Sequence, residues 1–355
     1  MKSNIHLQFL FVLGSAAVLL FGFGCSPGPS GDSDSSKTEP TQPYVVYVSN
    51  ERSNDVTIID GENNALIGRI SVGKRPRGIH CSPDGKRVYV ALSGSPRMAP
   101  GVEHERAVAD KEADGLGVID PVARKMTEKI PAGSDPEQFA ITKEGTRAVI
   151  ANEDLGTVSI IDLGSGKIAG EVRVSEEPEG VGVNPASGEV YVTCEEKGEV
   201  YVIDAEHAIA PAHFTVGARP RSVAFLPDGS RAYVPSETET SVSIVDTIAN
   251  KVIGQIKVDG MPMGTAVSKD GKELFVTTGR GNSVVVIDTK TNKSAATIPV
   301  GGRVWGIVLS PDGSKLYTAN GATNDVSVVD VKTRKEITRI KVGDGPWGLA
   351  VGPKL

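Results

Sequence analysis

Seven residues recurring in one phase hold the side chains of this chain most able to do chemistry: Arg77, Glu137, Glu179, Arg221, Met263, Trp305 and Trp347. Two positions before each stands a second set: Arg75, Asp135, Glu177, Arg219, Met261, Arg303 and Gly345. Flat indole faces beside guanidinium groups make a cradle for a planar or anionic ligand. The same charges also read as stitching, since Arg77 stands one repeat from Glu137, Glu179 from Arg221, Arg75 from Asp135, and Glu177 from Arg219. Such pairs contribute about 0 to 1 kcal/mol each where solvent reaches them. Both readings stay open on the residues alone. The two Trp weigh toward a cradle: both fall in one column on consecutive repeats, a phase that unrelated placement gives roughly once in 40. The candidate ligand-binding set is therefore Arg75, Arg77, Glu137, Glu179, Arg219, Arg221, Met263, Arg303, Trp305 and Trp347, with no catalytic residue, metal ligand or cofactor assigned.

Other chemistry is weaker. Glu51, Glu153, Glu195 and Glu237, with Asp154 and Glu196 adjacent, could offer oxygen ligands to a divalent cation, but the preferred reading is a solvated acidic rim. There is no C-x-x-C-H for haem, no paired His at metal spacing and no G-x-S-x-G elbow. The five His are scattered, and His80, in a small-residue strand, reads as a hydrogen-bonded structural residue. A hydrolase would have to draw its general base from Glu137 or Glu179.

The elements that position these residues are visible as repetition. The run Val326-Ser327-Val328-Val329-Asp330 has six earlier counterparts, ending at Asp60, Asp120, Asp162, Asp204, Asp246 and Asp288, spaced by 60 residues once and by 42 five times. A fixed period near 40 means one supersecondary unit stacked on copies of itself. In the fifth unit the sequence predicts strands over Arg221 to Phe225, Arg231 to Pro235, Ser241 to Asp246 and Val252 to Val258, with a type I turn at Pro227-Asp228-Gly229. Four strands per unit and seven units give an all-β, seven-bladed propeller. The strand-ending Asp residues are expected to accept turn amides. Residues from Tyr44 begin with a second-strand sequence, and Pro346 to Val351 is a first strand without a continuation. Together they complete one blade, so the ring closes and no open sheet edge is left between its ends. In this circle the candidate residues meet at the mouth of the central channel.

Tyr47-Val48-Ser49-Asn50, Tyr317-Thr318-Ala319-Asn320 and the Ser-Pro-Asp-Gly turns at Ser82 and Ser310 resemble the YVTN-type β-propeller repeat. The openings Arg75-Pro76-Arg77-Gly78, Asp135-Pro136-Glu137, Glu177-Pro178-Glu179-Gly180, Arg219-Pro220-Arg221, Arg303-Val304-Trp305-Gly306 and Pro346-Trp347-Gly348 are similar to those of the PQQ-dependent-catabolism-associated propellers. The resemblance spans Tyr44 to Pro353. It implies an accessory role near periplasmic quinoprotein oxidation. The chain departs from that subgroup by an insertion in its second blade and by Met261-Pro262-Met263-Gly264 in its sixth.

That insertion, about residues 94–113, accounts for the spacing of 60 and carries Arg97, Met98, Glu103, His104, Glu105, Arg106, Asp110 and Lys111. Loops this long in a regular array usually serve as lids or mobile segments. Net charge is -6 with a pI near 5.5, which removes the long-range attraction expected of a nucleic-acid binder. Residues 1–24 read as an export signal, with Lys2 before an apolar run from Leu7 to Gly24. Gly24-Cys25 resembles a bacterial lipoprotein cleavage box, which implies lipidation of Cys25 and tethering on the periplasmic or cell-surface side. Residues 25–42 lack apolar side chains and read as a flexible tether spanning on the order of 20 to 25 Å, ahead of the propeller at 43–355. Lipidation of Cys25 also explains an odd cysteine count, leaving Cys81 and Cys194 in non-neighbouring repeats and unpaired. The expected protein is a monomeric, membrane-tethered binding or scaffold propeller with a small ligand or periplasmic protein as partner. The alternative is a propeller hydrolase such as a lactonase.

Overall fold

The computed structural model describes residues 42–96 and 109–355. The signal, Cys25, most of the tether and insertion residues 97–108 lie outside the described residues. Seven four-stranded antiparallel sheets form the blades. Blade one joins the C-terminal strand Pro346–Pro353 to Tyr44–Asn50, Asp55–Asp60 and Leu66–Ser71. Blades two to seven follow in chain order, their innermost strands starting at Ile79, Pro136, Pro178, Ala224, Pro262 and Val304. The closing register pairs Tyr44 with Pro353 and Tyr47 with Ala350, as the two chain fragments require. The Tyr44 and Tyr317 hydroxyls share a 2.8 Å hydrogen bond that ties this blade to blade seven.

The repeated β-branched runs are explained by what covers them. In blade three the second and third strands, Arg147–Asn152 and Thr157–Asp162, are buried along nearly their whole length. Side chains of alternate parity point to opposite neighbours: Ala148 and Ile150 pack toward blade two, Val149 and Ala151 toward blade four. Both faces of each middle strand are thus apolar, and the core of the described residues is divided into seven clusters, one between each pair of adjacent blades. Outer strands lose one of those covers. Ile209–Thr215, for example, alternates exposed and half-buried residues.

Polar residues of the repeat do local work. Each strand-ending Asp accepts amides of its turn, as Asp60 does from Glu62 at 2.9 Å and Asp330 from Thr333 at 2.6 Å. The Asn of the Tyr-Val-Ser-Asn type motif ties its strand to the next: the Asn320 amide donates to Asp325 and Ser327, both at 2.9 Å. Cys81 and Cys194 are free thiols, as expected.

The innermost strands depart from simple alternation. Pro136 pairs with Asn152 and Phe139 with Ile150, so three residues advance against two on the partner strand. Blades one, four, six and seven carry the same irregularity. In blade five the expected strand over Arg221–Phe225 is reduced to Ala224–Phe225 plus an isolated bridge between Pro220 and Ser236. A bulge inserts one unpaired residue and re-aims its neighbours. Here the bulge lies at the candidate ring residue and the residue after it, Gln138 in blade three and a glycine in blades one, four, six and seven.

Those glycines sit where inner strands of adjacent blades nearly touch. A Cβ added to Gly306 would lie 2.4 Å from the Trp347 carbonyl oxygen, one on Gly348 2.5 Å from that of Arg77, and one on Gly264 2.5 Å from that of Trp305. Backbone carbonyls cannot step aside as a flexible side chain can. Gly306→Ala is therefore expected to lower the unfolding free energy by about 1 to 3 kcal/mol, measured by denaturant titration. Gly68→Ala, with nothing within 4 Å of the added carbon, should leave it unchanged.

Candidate functional site

The loops at the mouth are built on unusual backbone. Arg75, Asp135, Glu177, Arg219, Met261 and Arg303 all have positive φ, between 45° and 63°, and Gly345 completes the column at 65°. Side-chain-bearing residues in this left-handed region cost on the order of 1 kcal/mol or more each. The surrounding hydrogen bonds hold them there. The Asp135 carbonyl accepts the Glu153 amide at 3.1 Å, that of Glu177 accepts Glu195 at 2.9 Å, and that of Arg303 accepts Gly321 at 2.9 Å. Equivalent bonds join Glu237 to Arg219, Gly279 to Met261 and Glu51 to Gly345. Each blade except the second thus clamps the loop entering its first strand to the residue leaving its second. Gly345 was the trace of this conformation in the sequence.

Through blades one to five the clamp gathers charge. Arg77 contacts Glu51 at 3.2 Å, Glu153 at 3.6 Å and Glu137 more closely. Arg75 meets Glu51 at 3.3 Å and Asp135 at 3.7 Å, and donates to the Ser95 carbonyl at 2.6 Å. On the next pair of blades Arg221 binds Glu237 at 2.5 Å and closely engages Glu179 and Glu195, while Arg219 reaches Glu195 and, at 3.5 Å, Glu237. The stitching pairs Arg77 with Glu137, Arg221 with Glu179, and Arg75 with Asp135 form; the expected pair of Glu177 with Arg219 does not, because Arg219 turns to Glu195 and Glu237.

Of the acids expected as a solvated rim, Asp154 and Glu196 are exposed, but Glu195 and Glu237 are not. Glu195 is 4% exposed and Glu237 9%, and both are spent on Arg219 and Arg221. Only the blade geometry reveals this, because the two loops that bring these residues together lie in different parts of each repeat. Eight carboxylates, Glu51, Asp135, Glu137, Glu153, Glu177, Glu179, Glu195 and Glu237, thus surround four guanidinium groups, Arg75, Arg77, Arg219 and Arg221. The surplus shows in titration. Burial pushes Asp135 up to about 6 against the opposing pull of Arg77 and the Ser93 hydroxyl. It also raises Glu179 against Arg221, and raises Glu177, where Glu153 and Glu196 add repulsion. Asp135, Glu137 and Glu153 bring carboxylate oxygens within 4.8 Å of one another, with Arg77 paired to Glu137 and Glu153 among them.

Blades six and seven, with Trp347 of blade one, form a different sector. The column that carries Glu in blades one, three, four and five is Gly279 and Gly321 in blades six and seven, and a Cβ on Gly321 would lie 2.9 Å from the Trp305 ring. That space admits the indole. Trp305 and Trp347 stack with centroids 6.1 Å apart and planes at 24°, and the Arg303 guanidinium lies 5.2 Å from the Trp305 centroid. Met263 is buried beside Gly279.

One cavity of about 1100 Å³ spans both sectors at the mouth. Of the ten candidate residues, Arg75, Arg77, Arg219, Arg303, Trp305 and Trp347 line it. Glu137, Glu179, Arg221 and Met263 do not: they are more deeply placed, Glu137 paired with the lining Arg77 and Glu179 with Arg221. The neck of the insertion closes one side. The Asp110 amide donates to the Gly94 carbonyl at 2.9 Å, and Lys111 pairs with Asp154 of blade three. His80 packs edge-on against Phe139 with centroids 4.8 Å apart, and burial holds its pKa down to about 4, a structural role as expected.

Neither a protein-family model nor a curated protein matches the chain. Solved structures do. Hydrazine synthase of Kuenenia stuttgartiensis has a TM-score of 0.70 at 20% identity, covering 85% of this chain and 99% of that one. A functionally unknown protein from Desulfotomaculum acetoxidans DSM 771 has a TM-score of 0.71 at 16% identity, covering 87% and 99%. A protein from Bacteroides fragilis NCTC 9343 described as a candidate 6-phosphogluconolactonase has a TM-score of 0.71 at 18% identity, covering 90% and 99%. At these identities the likeness is one of fold.

Two outcomes test the electrostatics. Arg221→Met strands the buried Glu179 and leaves Glu195 and Glu237 to Arg219 alone, and is expected to cost about 3 to 5 kcal/mol of stability, whereas Arg303→Met should cost under about 1 kcal/mol; denaturant titration compares them. For Asp135 the folded value lies above the ordinary one near 4, so the folded chain holds the extra proton between them. Its stabilising contribution is complete below about pH 4 and is lost as pH rises through about 6. Asp135→Asn should therefore destabilise the protein more at pH 4.5 than at pH 8, by on the order of 1 to 2 kcal/mol; equal losses at both pH values would refute the assignment.

Proposed function

We propose that this chain is a binding propeller, exported and held at a membrane through a lipid on Cys25, that captures a small planar anion at its mouth. The observation that carries the reading is the stack of Arg303 on Trp305 and of Trp305 on Trp347 within the mouth cavity. Arg75, Arg77, Arg219 and Arg221 are committed to carboxylates. Arg303 has no carboxylate partner among the described residues, and its neighbour is a flat apolar face. A planar acid can stack on Trp305 while its carboxylate meets that guanidinium, which offers a fork of donors suited to two oxygens. A quinone bearing carboxylates meets both requirements, in keeping with the resemblance to propellers associated with PQQ-dependent catabolism and with an accessory role near quinoprotein oxidation.

Intrinsic Trp fluorescence reads this directly, since both indoles sit at the site. Titration with a panel of planar acids and quinones is expected to quench it saturably. Trp305→Ala and Arg303→Gln should each weaken capture about tenfold or more while the unfolding midpoint stays near that of the parent. Retention of parental affinity in both variants would remove the proposal.

A second reading, lactone hydrolysis, is favoured by one feature: Asp135 lines the cavity with its pKa raised by burial to about 6, close to where a general base works. Glu137 and Glu179 suit that task poorly, because they are more deeply placed, against Arg77 and Arg221. Lactone turnover that requires Asp135, measured with and without added Ca²⁺, would establish hydrolysis in place of simple capture.

A further inference from the structure

On opposite sides of the mouth stand two opposite charges with no ion pair among the described residues. Arg303, in blade seven, is the first. Glu177, in blade four, is the second: its carboxylate lines the cavity without an ion pair or hydrogen bond among the described residues. The cations near it are engaged elsewhere. Arg219 turns to Glu195 and Glu237, and Lys197 pairs with Glu176 at 3.6 Å. Arg173, at an exposed position of an outer strand, is a further lining charge without an ion pair among the described residues. Blades four and seven stand three places apart in a ring of seven, so Glu177 and Arg303 face each other across the mouth.

We propose that the cavity selects a zwitterion, with the planar acidic end stacked on Trp305 against Arg303 and a protonated amine at the far end paired with Glu177. This rests on the mouth-binding reading and narrows it to a ligand class. A ligand carrying only an acid satisfies one wall and leaves the other carboxylate without a counter-ion. One carrying both charges meets each wall with its complement, and a half-buried ammonium–carboxylate contact is stronger than a surface pair. The environment of Glu177 agrees, since burial and then its neighbours Glu153 and Glu196 disfavour its anion by more than the nearby Arg219 and Arg221 favour it, so a further cation at its carboxylate would be gained at low cost. The left-handed backbone at both Glu177 and Arg303, with φ of 52° and 51°, fixes the two side chains at equivalent points of the ring.

The test uses the full chain and 4-(ω-aminoalkyl)benzoates of increasing spacer length, each beside the alkylbenzoate lacking its amine, titrated by Trp fluorescence. For the spacer that matches the mouth, the amine is expected to strengthen binding about tenfold. Glu177→Gln should abolish that gain and leave alkylbenzoate affinity unchanged, which also shows that the variant folds. The proposal is overturned if no spacer yields a gain or if the gain survives in Glu177→Gln. Binding of alkylbenzoates without any such gain leaves the mouth-binding reading standing alone. Failure of every alkylbenzoate and aminoalkylbenzoate to bind removes both.

Discussion

Seven inner strands converge on one axis, and in five of the blades so closely that the carbonyl of a ring residue occupies the space where the preceding blade can spare room only for a hydrogen. The approach at Gly306 and Gly348, 2.4 to 2.5 Å from carbonyl oxygen to an imagined Cβ, sets how tightly the circle can draw in. From that limit come the inner-strand bulges, which turn the ring residues toward the mouth, and the orientation of the middle strands, whose two faces are buried by neighbours on either side. A blade has no core of its own. Its stability is shared with both neighbours, and closure by the strand Pro346–Pro353 gives the last interface the same cover as the others.

Crowding at the axis also explains why the mouth is electrostatically costly. Residues placed there are withdrawn from water by the loops around them, so each carboxylate needs a partner or a proton. Arg77 and Arg221 each answer three acids, yet carboxylates remain in excess and several hold their protons more tightly than in solution. Replacing such networks by apolar residues is often no loss to stability. They occupy one half of the ring, with Met263, Trp305 and Trp347 on the other, and that division is the ground for the proposal that the mouth binds a ligand.

Propellers host many unrelated activities, so architecture alone assigns none. What distinguishes this one is the break in its own symmetry. Where five blades follow a charged plan, the other sector replaces two loop positions by Gly279 and Gly321 and fills the space with Met263 and Trp305. The cavity that results is walled by paired charge on one side and by stacked indoles on the other.

The repeat period, the number of blades, the four-strand unit and the closure of the ring were all readable from the linear chain. Each depends on periodic placement of β-branched residues and turn residues, and periodicity is a property of sequence. The strand-ending Asp residues and the unpaired Cys81 and Cys194 were legible for the same local reason. Which charges meet was not. Glu195 and Glu237 looked like a wet rim because their partners, Arg219 and Arg221, come from another loop, and for Glu195 from another blade, and only the clamp between left-handed residue and second-strand exit brings them together. Likewise, the phase of Trp305 and Trp347 marked them as neighbours, but their stacking and the commitment of every inner arginine except Arg303 depend on depth below the mouth. That depth is set by bulges and by backbone contact across the axis, through interactions between segments some forty or more residues apart.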